Sequence, residues 1–126
     1  MMLRFLGRQK TSRGQALSIH GRTNKKMKLV TAIIRTVSAQ KVVNALKMCC
    51  VSGVTFSEVR GVGEGFDLER PYTIHSKLEV VVSDERADDV VQAILEHSRM
   101  GQPGDGIISV VPLDYQVEIR TREKLA

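Results

Sequence analysis

The chain has 126 residues and is 42% hydrophobic, which suits one compact domain and leaves no room for two. Aromatic residues make up 4%, tryptophan is absent, and no apolar run approaches the roughly 18 residues of a membrane helix, so a core of Val, Ile, Leu and Ala is expected and an integral membrane protein is not. The net charge of +5 belongs to the first 26 residues, which hold Arg4, Arg8, Lys10, Arg13, Arg22, Lys25 and Lys26 and no acid; the slightly acidic remainder lacks the clustered cations of a nucleic-acid surface, so no nucleic-acid partner is expected.

Residues 1–26 show neither a helical nor a strand period and read as a flexible basic extension. Three readings compete for it. Met27-Lys28 looks like a natural beginning, which would make the extension a cloning or start-codon artefact. The acid-free, Arg- and Ser-containing composition fits an organelle transit peptide. A basic arm tethering an acidic partner is the third. The domain proper is expected over 27–126.

Leu29 to Ile34 is a short apolar run, long enough for a buried first strand. Ser38 stands where a helix N-cap is expected. Ala39, Val42, Val43, Leu46 and Cys50 then recur at helical spacing, and Gly53 follows as a glycine does just after a helix ends. Val54 to Arg60 alternates and is rich in β-branched residues, a second strand. Gly61 to Gly65 and Phe66 to Ser76 contain too much glycine, and Pro71, for a regular element, and are predicted as loop.

Lys77 to Val82 is the third strand. Ser83-Asp84-Glu85 opens a second helix with negative charge at its positive end. Along it Ala87, Val90, Val91, Ile94 and Leu95 make an apolar stripe, and Arg99 and Gly101 end it. Gln102 to Gly106 is a second glycine-rich loop, Ile107 to Val111 the fourth strand, and Gln116 to Arg120 a short fifth segment.

Strand, helix, strand, strand, helix, strand is the ferredoxin-like βαββαβ arrangement, an α+β fold. Two helices cover one face of such a sheet. The other face here also carries Val and Ile, so self-association into a closed oligomer is expected. The adjacent Cys49 and Cys50 make no disulfide framework and read as small apolar side chains in a reduced, cytoplasmic protein. His20, His75 and His97 have no metal-ligand spacing with the cysteines, and His97 suits the end of its helix. Asp84, Asp88 and Asp89 read as a solvated helix start. No catalytic set emerges, so no enzyme and no metal are expected.

Four segments, in order and on matching elements, resemble the PII signal-transduction family. They are Lys28 to Arg35, Ser52 to Gly63, Lys77 to Val82, and Met100 to Gly106 with its following strand and Val117 to Thr121. The resemblance implies a homotrimer with an extra short C-terminal strand and three nucleotide sites in clefts between subunits. It places Ile33, Thr55 and Val81 around an adenine ring, Gly61, Gly63, Gly104, Asp105 and Gly106 in turns that approach phosphates, and Arg120 on a phosphate. Glycine turns suit that task because only they let backbone N–H groups come close to an anion.

The chain also departs from the family pattern. Glu64 and Gly65 stand where Arg and Gln usually follow the first turn, Ile107 replaces a phosphate-contacting Lys, and Glu118 replaces one of two Arg. Loss of the Gln argues against 2-oxoglutarate sensing. Carboxylates near phosphates repel them by roughly 1 kcal/mol each at a surface. ADP or AMP is therefore expected to be favoured over ATP. The partner-inserting loop is short, with Tyr72 beside Pro71 outside the family's modification motif. That resembles PII-like branches associated with carboxysomes and bicarbonate metabolism. The expected function is a non-enzymatic regulator of a transporter or enzyme in inorganic carbon or nitrogen metabolism. A small-anion (bicarbonate-type) sensor, or a trimeric assembly protein with little nucleotide binding, is the alternative.

Overall fold

The computed structural model describes residues 26–49, 51–63 and 69–125. The elements follow in the expected order: β1 (Met27–Arg35), α1 (Thr36–Met48), β2 (Thr55–Gly61), β3 (Thr73–Ser83), α2 (Ala87–Ser98) and β4 (Gly106–Leu113). A 3-10 turn at Asp84–Arg86 leads into α2. The sheet order is β2-β3-β1-β4, so β3 sits between the two strands that α1 connects. That is the split βαβ of the ferredoxin-like fold.

The chain divides into two units, the larger being Lys28–Val111. Its core lies between the sheet and the helices. Val30, Ala32 and Ile34 of β1 and Leu78 and Val80 of β3 meet Val42 and Leu46 of α1 and Val90 and Ile94 of α2. All of these side chains are buried. Each of Leu46, Leu78 and Ile94 contributes about 1.5–3 kcal/mol by leaving water. Alternation along β1 and β3 turns their remaining side chains to the helix-free face.

In the second unit, Val117 pairs antiparallel with Lys124, which gives the expected fifth segment the form of a bridged turn. The Glu118 N–H donates to the Glu123 carbonyl at 2.9 Å and the Arg122 N–H to the Glu118 carbonyl at 2.7 Å. The Lys124 ammonium stands 5.0 Å from the centre of the Tyr115 ring.

Four local expectations are corrected. Ser38 is not the N-cap of α1. The chain passes from β1 into the helix with no intervening loop, Arg35 takes the cap position in extended backbone, and Ser38 is buried in the first turn. Gly53 does not end α1 either. Cys49 closes it with an N–H shared between the Ala45 and Leu46 carbonyls, and Gly53 lies further on without a left-handed backbone. β3 begins at Thr73, because Thr73 to Ser76 find ladder partners in Gly61, Arg60, Val59 and Glu58. Leu95 falls on the flank of the apolar stripe and is partly exposed, while Ser98 completes the buried row, donating its hydroxyl to the Ile94 carbonyl at 2.6 Å.

The C-terminal end of α1 has a cation from another element. Arg86 donates from Nη2 to the Cys49 carbonyl at 3.0 Å. Because this contact is exposed, Arg86→Ala is expected to lower stability by only about 0.5 kcal/mol. Urea unfolding of the two proteins side by side checks this, and a loss above about 2 kcal/mol would mean that Arg86 holds more than a helix end.

Candidate functional site

Register puts three of the expected site residues on one face. Thr55 lies directly across from Glu79, and residues directly opposite share a face, so Thr55 and Val81 project to the same side of the sheet. On β1, Ile33 alternates with buried Ala32 and Ile34 and projects to that helix-free side too. Ile33 and Val81 are half-buried, which gives the face an apolar floor at this point. The Thr55 hydroxyl reaches only the Glu79 carbonyl, at 3.5 Å, the limit of a hydrogen bond.

Gly61, expected in a turn, is instead the last residue of β2, and it is joined to the glycine turn before β4 by side chains that sequence reading gave no part in the site. Gly61 ends β2 directly opposite Thr73, the first residue of β3. The Thr73 hydroxyl lies 3.4 Å from the Gly61 carbonyl and 3.2 Å from Nδ1 of His75. His75 is buried, and its Nε2 stands 3.0 Å from the carbonyl oxygen of Gly104. A carbonyl only accepts, so Nε2 carries a proton. Gly61, Thr73, His75 and Gly104 thus form one continuous polar chain across the end of the sheet.

Asp105 holds the second turn in shape. One carboxylate oxygen accepts N–H bonds from Met100 and Gly101, each at 2.8 Å, and from Gln102 at 3.4 Å. The other accepts from Nε of Arg35 at 3.2 Å, and Nη2 of Arg35 donates to the Pro103 carbonyl at 2.7 Å. Partial burial pushes the Asp105 carboxyl up. The bonds from Met100, Gly101, Arg35 and Gln102 outweigh that and hold it below the ordinary value of 3.8. Asp105 therefore builds the loop with its carboxylate.

Gly106 is imposed by space and Gly104 by its left-handed backbone. Gly106 has φ +115, and a Cβ on it would lie 1.8 Å from the Ile33 carbonyl oxygen. Gly104 has φ +95, and a Cβ there would press on the Arg35 guanidinium at 3.1 Å.

The other expected residues are placed as follows. Gly63 is half-buried just beyond β2. Arg120 lies in the second unit, exposed on the turn of its hairpin. Glu118 accepts the Thr121 hydroxyl at 2.8 Å, which commits its carboxylate to its own turn and weakens the repulsion expected of it. Ile107, where the family has a Lys, is exposed. Glu64, Gly65, Cys50, His20 and the basic segment 1–25 lie outside the described residues. Tyr72 lies 5.1 Å from the Arg60 guanidinium carbon, a cation–π contact. Nδ1 of His97 donates to the Ala93 carbonyl at 2.8 Å, as a helix-end histidine does.

Arg35, Thr73 and His75 were missed for different reasons. Arg35 reads as the last residue of a strand, and its partner is 70 positions away. Thr73 and His75 fell in the stretch predicted as loop, where alternation with Ile74 and Ser76 was the available signal.

Comparison with known proteins agrees with this geometry. Residues 27–123 match the family model described as nitrogen regulatory protein P-II. The chain is 39% identical over 106 residues to nitrogen regulatory protein P-II 2 of Methanothermobacter thermautotrophicus, covering 77% of this chain and 92% of that protein. It is 41% identical over 107 residues to nitrogen regulatory protein P-II of Microchaete diplosiphon, covering 78% and 96%. Among solved structures, Arabidopsis thaliana PII bound to citrate superposes with a TM-score of 0.69 at 34% identity, over 80% of this chain and 87% of that one. With the ferredoxin-like sheet, the paired glycine turns and these relatives in agreement, the chain belongs to the P-II family of nitrogen regulatory, signal-transduction proteins.

Proposed function

We propose that this protein is a sensor that binds an adenine nucleotide at the two glycine turns and, through the state of that site, regulates a partner protein. The observation that carries the reading is the polar chain joining Gly61 to Gly104 through Thr73 and His75. It fixes the spacing of two turns suited to phosphates, beside an apolar floor of Ile33 and Val81 suited to an adenine ring. In this reading Thr55 offers its hydroxyl to a ring nitrogen. Gly61, Gly63, Gly104 and Gly106 give backbone N–H groups to phosphates, Asp105 sets the second turn, and Arg120 meets a phosphate with its forked guanidinium. No residue is given a catalytic role, and no metal is invoked.

The domain is taken as 27–126, with 1–26 as a basic extension. Leu29, Ile33, Val81, Ile107 and Val111 make the helix-free face partly apolar and incompletely covered in one chain, which supports a homotrimer built on that face. The preference for ADP or AMP over ATP rests chiefly on Ile107 in place of a lysine, since Glu118 has a partner in its own hairpin. The regulated partner is a transporter or enzyme of inorganic carbon or nitrogen metabolism, with bicarbonate as a second ligand. Among the described residues no helix is long and apolar enough to cross a membrane. A cytoplasmic place is proposed on the family resemblance.

Calorimetric titration of the full chain with AMP, ADP and ATP, each with and without bicarbonate and 2-oxoglutarate, tests this. ADP or AMP should bind more tightly than ATP, with no response to 2-oxoglutarate. ATP binding that strengthens with 2-oxoglutarate would overturn the preference. No heat with any nucleotide would move the weight to a small-anion sensor or a trimeric assembly protein.

A further inference from the structure

We propose that Arg122 is a specificity-determining residue: with Arg120 it makes the C-terminal hairpin a clamp of two guanidinium groups for the phosphates of the nucleotide. Among the described residues Arg122 alone, glycines aside, has a left-handed backbone, at φ 64. The hairpin imposes that conformation. The Arg122 N–H donates to the Glu118 carbonyl at 2.7 Å and the Glu118 N–H to the Glu123 carbonyl at 2.9 Å, so Arg122 and Glu123 together oppose Glu118. That is a bulge whose first residue is left-handed and ordinarily glycine. A side chain at such a position strains the backbone. The Arg122 side chain is exposed, so core packing does not demand it. Strain kept without a packing reason points to a function for the side chain.

The turn of the hairpin presents its cations outward. Thr121 keeps its hydroxyl within the turn, donating to Oε1 of Glu118 at 2.8 Å and accepting the Glu123 N–H at 3.2 Å. Arg120 and Arg122, on either side of it, are both exposed. Glu118 stands where the family pattern has an arginine, and the residue that meets it across the hairpin supplies a guanidinium instead. A guanidinium binds phosphate oxygens through paired N–H bonds in a planar fork, which a lysine cannot copy. The strain and exposure of Arg122 stand by themselves; phosphate as its ligand rests on the nucleotide reading above.

Three measurements on the full-length protein test the inference. In urea, Arg122→Gly should unfold at a higher concentration than the wild type; an equal or lower midpoint would remove the strain and the proposal with it. Calorimetry then compares adenosine with ADP in the wild type, Arg122→Gly and Arg122→Gln, the last of which keeps a strained side chain and loses the charge. ADP affinity should fall at least about tenfold in both variants while the response to adenosine stays that of the wild type. A variant that is more stable and yet binds ADP more weakly is not what a merely structural residue gives. Unchanged ADP affinity, or an equal loss for adenosine and ADP, would overturn the clamp. The third titrates the wild type with inorganic tripolyphosphate and follows the side-chain Nε–H signals of Arg120 and Arg122 by NMR. Both should shift together and saturate, and an unmoved Arg122 would overturn the proposal. Binding of neither adenosine nor ADP by the wild type would sink the nucleotide reading instead, and the tripolyphosphate titration would still decide the clamp.

Discussion

Replacing Gly106 by alanine should destabilise the protein by roughly 3 kcal/mol or more, or prevent folding. The new Cβ would stand 1.8 Å from the Ile33 carbonyl oxygen, 2.9 Å from its carbon and 3.1 Å from Cα of Ile34. All three are backbone atoms of β1, an interior strand of the sheet with Ile34 in the core, so no side-chain movement relieves the clash. The φ of +115 adds backbone strain for any residue with a Cβ. Gly101→Ala separates the two effects. Gly101 has φ +79 and nothing within 4 Å of its Cβ position, so it should cost about 1–2 kcal/mol from backbone strain alone. Urea unfolding of both variants checks this. Equal losses would mean that β4 can draw away from β1 without penalty.

Asp105→Asn should lower stability by about 1–3 kcal/mol at neutral pH and weaken ligand binding at the Gly104 turn. The variant keeps the shape and removes the charge that three loop N–H groups and Arg35 share. Its pH dependence has a definite sign. The folded-state value of Asp105 is depressed, so the unfolded chain takes up a proton first as pH falls. The contribution of the carboxylate is complete above the ordinary carboxylate value near 3.8 and is lost as pH drops through the lower folded value. The stability gap between wild type and variant should therefore be constant from about pH 7 down to pH 5 and close below about pH 4. Denaturant titrations at stepped pH measure the gap. A gap that vanishes already near pH 6 would assign it to some other group.

Much of the architecture was legible because local chemistry and the fold agree. Leu29 to Ile34 could bury a strand, and Ala87, Val90, Val91 and Ile94 could bury one helix face. The order of elements then left few topologies. The turn before β4 was legible as a turn, whereas Gly61, read as part of another, is drawn into β2 by its pairing with Thr73. The boundaries were less so. Ser38 has the right side chain for a cap, but β1 delivers the chain into α1 without a loop, so the serine is carried into the core. Pro71 and the nearby glycines concealed Thr73 to Ser76, whose strand conformation depends on partners in β2.

The sequence by itself determined the fold class, the apolar pattern of both sheet faces and the presence of a glycine-dependent turn before β4. Tertiary structure decided what those turns are attached to. Arg35 reaches Asp105 across 70 residues, and His75 reaches Gly104 across 29. Neither pairing has a period or a spacing that a linear reading can detect. Each exists because β3 and β1 lie side by side in the sheet and bring their ends to the loop before β4. Hydrogen bonds act over about 3 Å of space and are blind to distance along the chain. Folding alone could therefore turn a loop histidine into the link between two turns, and an expected ligand carboxylate into the clamp that shapes one of them.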